Sequence, residues 1–336
     1  MSKTQVIVLE ETTAELEARK WFVCRGLSSE GFAELTKGQI ELFTIPIKKN
    51  PSRFDLIVGQ SLIGQSITPI SLRLQNAQFQ PLQSAPFPST WSNVYLSLTA
   101  YGAVPVSQRV EVIGAPDQGK TTALLYLGHK LKRKAKSVGW LDLDPGQNTL
   151  CWPGTLAYGE FGSIEESSSN WLPIAKKYLM FGSTTPRGLL KSYRDVLQEL
   201  IMFAEEQRPD WLLIDTPGYV GDEYAREIHQ TILNTVRPQN LVQLGDEDFQ
   251  LWCRLLGFRF KRFVVYPTSK VGASVQNRTQ ETRRQRREVK YSHLLSELST
   301  KLILKDSQVN NVLLPTSGGW IPHTDIRGFT WSPHQL

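Results

Sequence analysis

The sequence predicts an α/β fold: a central P-loop domain with a mostly parallel sheet, flanked by a small N-terminal all-β domain and a small C-terminal β-rich module. Three observations carry that prediction. Between Gln108 and Tyr266 short apolar runs alternate with longer helical patterns, the signature of βαβ units. Before about residue 98 and after about residue 296 the chain consists of short β-like runs broken by Gly, Pro, Asn and Ser. At 336 residues, with 40% apolar and 21% charged residues, it exceeds one typical domain and is apolar enough to build a real core.

Taken in order, residues 1–98 contain AELTKGQIELFTIPI and FDLIVG, read as strands of the first domain. The stretch QNAQFQPLQSAPFPSTWSN is rich in proline and glutamine, and is expected to be a long connection leading to a helix or turn near Trp91. In the central domain, residues 99–295, RVEVIGAP reads as a strand ending in glycine, TTALLYLGHKLKRKA as a helix and SVGWLDLDPG as a buried strand. GLLKSYRDVLQELIMFAEEQ and DEYAREIHQTILNTV read as further helices, and WLLIDTPG, NLVQLG and FKRFVVYP as further strands. Residues 296–336 hold LILKD, VLLPTSGG and GFTW, read as the terminal β-rich module.

No apolar run is long enough to span a membrane, and MSKTQVIVLEE lacks the basic-then-apolar pattern of an export signal. A cytoplasmic location is expected, nuclear or nucleolar in a eukaryote, with no membrane partner. Cys24, Cys151 and Cys253 lie far apart without metal-like pairing and read as packing residues. The net charge of +6 is modest for the length and says little about partners; its distribution says more, because Arg278, Arg283, Arg284, Arg286 and Arg287 crowd into NRTQETRRQRREVKY.

The chemistry starts at GAPDQGKT, a GxxxxGK[ST] segment placed between a buried strand and a helix. Gly114 and Gly119 let the backbone wrap an anion, and the amides of Ala115, Pro116's neighbours, Asp117, Gln118 and the helix start are directed at phosphate oxygens. Lys120 is suited to the β- and γ-phosphates, Thr121 to Mg2+, and Thr122 completes the helix opening, so ATP with magnesium is the expected ligand. Asp142 and Asp144 share one face at the end of the next strand, where one could hold a magnesium water or accept a proton. Asp215, ending WLLID, reads as a Walker B carboxylate.

DTPG also occurs in GTPases, but YPTSKVGA has no aspartate two residues beyond Lys270 to read guanine, which leaves the GTPase reading the weaker one. The arginine cluster admits three roles: a solvated helix face, a nucleic-acid patch, or a lid over the nucleotide.

The series GxxDxGK[ST]T, LDxDxGQ, FGSTTPxxxxxxY, IDTPGYV and an arginine-rich lid resembles the polynucleotide 5'-hydroxyl kinases, the group with the RNA kinases of the pre-mRNA cleavage complex and of pre-rRNA processing; the match covers about residues 105–295. The resemblance implies a three-domain plan and transfer of the ATP γ-phosphate to the 5'-hydroxyl of single-stranded or end-exposed RNA or DNA. It implies that Asp144 activates that hydroxyl or organises magnesium, with Gln147 beside it. It places Thr184, Thr185, Pro186 and Arg187 in a clasp on the acceptor, and Tyr219 in a base-stacking position where the family commonly has tryptophan. The lid arginines correspond to Arg278 and Arg283, with Arg287 competing. Catalysis is therefore expected to rest on Lys120, Asp144 and these arginines; the alternative is an ATP-bound structural subunit of an RNA-processing complex with little turnover. Protein partners are not legible in the sequence.

Overall fold

A computed structural model describes residues 11–297 except 29, 58–59, 88–89, 101–106, 136, 165–166, 221, 246–256, 261 and 267–278, and beyond 297 the segments 313–316 and 319–322. The fold is mixed α/β. Arg278, LILKD, GFTW, Cys253 and Lys270 lie outside the described residues.

The N-terminal region packs two antiparallel sheets. One, in the order β1-β8-β3-β6, is built from β1 (Glu11–Leu16), β3 (Phe32–Lys37), β6 (Ser52–Asp55) and β8 (Ile70–Gln75). The other, β5-β4-β7-β2-β9, uses β2 (Trp21–Gly26), β4 (Ile40–Leu42), β5 (Ile45–Ile47), β7 (Ser61–Ser66) and β9 (Ala77–Leu82). Alternation is clean in β8, where Ile70, Leu72 and Leu74 point inward while Arg73 is exposed. β9 corrects the expected connection: AQFQPL pairs antiparallel with β2 along its whole length. Proline at Pro81 is tolerated because β9 is an edge strand.

Helix α1 (Thr90–Thr99) leads into the central seven-stranded sheet, ordered β13-β12-β11-β14-β10-β15-β16. Five neighbours are parallel: β10 (Gln108–Gly114), β11 (Val138–Asp142), β14 (Trp211–Asp215), β15 (Asn240–Leu244) and β16 (Arg262–Tyr266). β12 (Thr155–Glu160) and β13 (Ile174–Met180) extend it antiparallel, an edge that the strand-helix alternation does not announce. Helices α2 (Lys120–Lys132), α3 (Leu190–Gln207) and α4 (Glu223–Val236) cover the sheet. α3 and α4 bury Leu197, Leu200, Ile228 and Ile232 against Leu212 and Ile214, each worth about 1.5–3 kcal/mol on burial. Asp222 caps α4 by accepting from the Ala225 amide at 3.0 Å. The arginine-rich helix α5 spans Gln280–Glu297, and β17 (Leu313–Thr316) pairs with β18 (Gly319–Pro322) as a hairpin.

The N-terminal sheets and the α/β region share one continuous core, which includes Leu42, Phe43 and Leu62 as well as Leu124, Leu131 and Trp140. At the junction His129 of α2 stacks on Phe43 at 5.3 Å and meets Phe161 edge-on at 5.1 Å. Trp171 Nε1 donates to the Asp55 carbonyl at 3.2 Å. The phosphate-loop helix is therefore anchored on both sides before any ligand arrives.

Candidate active site

The carboxyl ends of β10, β11 and β14 converge. Asp142 and Asp215 are directly opposed in the β11–β14 register, and β14 pairs with β10 on its other side. This edge is where an open α/β sheet presents its ligand crevice. The loop Gly114–Gly119 leaves β10 and turns into α2; Gly119 takes φ 84° at the N-cap, a left-handed conformation that glycine adopts without a Cβ penalty. Asp117 is also left-handed, at φ 62°, which aspartate tolerates better than most residues.

Lys120 is only 8% exposed and its Nζ donates to the carbonyls of Gly114 at 2.8 Å and Ala115 at 3.0 Å. A Cβ added at Gly218 of DTPG would lie 3.1 Å from Lys120 Nζ and from Pro116, so the third strand's loop closes against the first. Thr121 Oγ1 donates to Asp215 Oδ2 at 2.7 Å. That hydroxyl and carboxylate are the donor set on which Mg2+, which uses one or two carboxylates plus substrate phosphates, fits without a protein cage. Burial pushes Asp215 up to about 6, opposed by the Lys120 ammonium.

The two aspartates after β11 have different surroundings. Asp142 is buried and accepts from the amides of Thr149 at 2.5 Å and Asp144 at 3.3 Å; burial, then the neighbouring Asp215 carboxylate, raises its pKa. Asp144 is half-buried, and its Oδ1 accepts from the amides of Gly146 at 2.8 Å and Gln147 at 3.0 Å. Asp142 holds the loop together, whereas Asp144 is presented by it.

The FGSTTPRG segment turns on its own hydroxyls: Ser183 Oγ accepts from the Thr185 amide at 3.2 Å, and Thr185 Oγ1 from the Arg187 amide at 3.2 Å. It touches the Asp144 loop, because a Cβ at Gly146 would lie 2.7 Å from the Thr184 carbonyl. Pro186 is buried, while Thr185 and Arg187 are exposed, with Arg187 stacked over Tyr224 at 5.1 Å. Tyr219 is half-buried, its hydroxyl bonded to Asp222 and its carbonyl to His229 Nε2 at 3.1 Å.

From α5, Arg283 Nη2 reaches Asp117 Oδ2 at 2.6 Å, placing it on the phosphate loop. Arg287 lies one turn further, beside Gly146 and Asn148 rather than beside Asp117. Arg284, exposed, pairs with Glu288 on the same helix, the solvated-face role. Two further residues join the site: Arg286, named in the arginine cluster but given no role there, 8% exposed and donating to Gln147 Oε1 at 3.1 Å, and Lys290, not singled out from the sequence, donating to the carbonyls of Asn148 and Cys151. Burial and the nearby Arg286 push Lys290 down to about 8. Their signal was available as spacing, since both continue the helix face of Arg283 at three and seven residues.

A phosphate loop at a parallel-sheet edge, backed by a hydroxyl–carboxylate pair and crossed by an arginine helix, defines a P-loop kinase-type nucleotide site. Residues 114–297 match the family model described as mRNA cleavage and polyadenylation factor CLP1 P-loop, and the chain belongs to that family. It is 27% identical over 169 residues to Protein CLP1 homolog 5 of Arabidopsis thaliana, covering 46% of this chain and 38% of that one. It is 25% identical over 185 residues to a polyribonucleotide 5'-hydroxyl-kinase of Pyrococcus furiosus, covering 54% and 49%. The matched stretch thus spans half or less of either relative. The fold is similar to the structure of the wild-type Clp1p–Pcf11p complex, with a TM-score of 0.64, 16% identity, and coverage of 91% of this chain and 75% of that one.

Proposed function

We propose that the protein transfers the γ-phosphate of ATP to the 5'-hydroxyl end of RNA or DNA. The observation that carries this reading is the placement of Asp144, aimed by two backbone amides, on the loop adjoining the Thr121–Asp215 pair. A carboxylate placed there can receive the proton of an attacking hydroxyl. The names of the archaeal relatives, polyribonucleotide 5'-hydroxyl-kinases, support the same chemistry.

In this mechanism the amides of the Gly114–Thr121 loop bind the donor phosphates and Lys120 turns from its own loop carbonyls toward them. Thr121 and Asp215 would hold Mg2+, which supplies charge neutralisation on the phosphates. Asp144 accepts the proton of the attacking hydroxyl, Arg283 stabilises the charge spread over the transferring group, and Gln147, the 183–187 loop and Tyr219 orient the acceptor.

Purified protein, labelled ATP and oligonucleotides ending in a 5'-hydroxyl or a 5'-phosphate, in RNA and DNA form, test the proposal. Label is expected on the 5'-hydroxyl oligomers alone. Nucleotide binding without label on any oligomer would replace this reading with that of an ATP-bound structural subunit, which the complex-forming structural neighbour favours.

A further inference from the structure

Tyr193 closes the FGSTTPxxxxxxY spacing and sits in the first turn of α3, with 0% exposure. It lies in the apolar cluster that holds Leu141, Phe181 and Leu197, where a phenylalanine ring would fill the same space. Its hydroxyl donates to the Leu143 carbonyl at 2.8 Å. Burial, then the nearby Asp144 carboxylate, push the phenol's pKa well up, so it stays protonated and remains a donor.

That carbonyl belongs to the peptide unit joining Leu143 to Asp144. The other edge of the same unit, the Asp144 amide, donates to Asp142 Oδ1 at 3.3 Å. Two buried side chains from different elements thus hold one rigid peptide plane by both edges, and the plane sets the direction in which Asp144 leaves it. Around it the Leu143 amide donates to the Asp215 carbonyl at 2.9 Å, and the Gly146 and Gln147 amides hold the Asp144 carboxylate. In this series the Tyr193 bond comes from a helix, while the others come from the strand ends and the loop itself. The same ring also supports the 183–187 loop. Phe181 meets it edge-on at 5.6 Å. The Phe181 and Gly182 amides donate to the Gly154 carbonyl at 2.8 and 2.9 Å, and the Gly154 amide donates to the Pro145 carbonyl at 2.7 Å. Tyr193 is therefore a support in α3 that the Asp144 loop and the 183–187 loop share.

We propose that Tyr193 is a positioning residue for phosphate transfer: its hydroxyl, by fixing the Leu143–Asp144 peptide, sets where the Asp144 carboxylate stands relative to the 183–187 loop and an acceptor held there. It acts through Asp144 and not on the reacting atoms. The assignment rests on the transfer reaction proposed above.

The test is steady-state transfer from labelled ATP to a 5'-hydroxyl oligonucleotide by the full chain and its Tyr193→Phe variant. Active protein is counted by titration with a fluorescent ATP analogue, and the fold is followed by circular dichroism. Tyr193→Phe keeps the ring and its contact with Phe181, so KM for ATP and for the oligonucleotide should each stay within about twofold, while kcat per nucleotide site falls about tenfold or more. Site-specific 4-aminophenylalanine in place of Tyr193 restores a donor of similar reach and should return kcat to within about threefold of wild type. A purely structural role predicts a lower melting temperature with an unchanged kcat per folded molecule. That result overturns the proposal, as does a loss confined to KM for ATP or a failure of the amino analogue to restore kcat. Should Tyr193→Phe not fold, Phe181→Leu decides. It leaves the hydroxyl but loosens the ring that carries it, and is expected to lower kcat about threefold with ATP affinity unchanged; an unchanged kcat overturns the assignment. If wild-type protein labels no oligonucleotide, the kinase reading falls and the positioning role falls with it. If wild type transfers and Tyr193→Phe transfers equally well, the positioning role alone falls.

Discussion

Glu111 offers a quantitative test of how the phosphate-loop strand is built. It sits in the middle of β10, opposite Ile214 on one side and Leu241 on the other, with 0% exposure. Among the described residues neither carboxyl oxygen has a hydrogen-bond partner. Burial pushes its pKa from 4.5 to about 8, so at pH 7 the folded chain carries a proton that the unfolded chain has lost. A carboxyl raised on folding contributes its stability fully below pH 4.5 and loses it as pH rises toward 8. At pH 7 the loss is the 2.5-unit gap from 4.5, multiplied by 1.36 kcal/mol per unit, or about 3 kcal/mol. Glu111→Gln preserves shape and polarity while needing no proton. It should therefore stabilise the protein by up to about 3 kcal/mol at pH 7 and by less than about 0.5 kcal/mol at pH 4.5. Urea unfolding of both proteins, followed by circular dichroism across that range, measures the difference directly. A gain or loss that does not change with pH would refute the argument, because it would mean that Glu111 titrates alike in both states.

Lys120→Ala should lower phosphate transfer by about a hundredfold or more with the melting temperature little changed, read by labelled-ATP transfer beside thermal unfolding. Asp144→Asn should abolish transfer and leave the fold intact, whereas Asp142→Asn should mainly destabilise it, since Asp142 accepts two loop amides in a buried setting; retention of transfer by Asp144→Asn would reverse the assignment. Arg283→Ala should reduce kcat by about a thousandfold in steady-state transfer assays if this residue moves from Asp117 to the transferring group, and change little if its only role is that ion pair. His129, buried between Phe43 and Phe161, is held down to about 4 by burial. Its stability is present above the unfolded pKa of about 6.5 and is lost as pH falls toward 4, costing about 2 kcal/mol at pH 5. His129→Gln should flatten that acid slope in urea unfolding at pH 7, 6 and 5.

The sequence by itself determined the α/β core and the phosphate-loop edge of the candidate site. GAPDQGKT, LDLDPGQ and WLLIDTPG are local patterns, in which a strand, a turn and a helix start follow from adjacent residues, and parallel strands bring their carboxyl ends to one edge. What it left undecided depended on distant pairing. AQFQPL has the composition of a connection, and becomes β9 only because the edge of β2 supplies its hydrogen bonds. The antiparallel β12 and β13 depend likewise on the exposed flank of β11. Only the tertiary structure separated Asp142, buried beneath its loop, from Asp144, presented by it, because equal strand periodicity places both on one face. It also sorted the arginine cluster. Arg283 reaches the phosphate loop, Arg284 pairs with Glu288 toward solvent, and Arg286 and Lys290 close on the loop that follows Asp144. Charge and helical spacing set which side chains share a face; which loop that face meets was settled by where α5 docks.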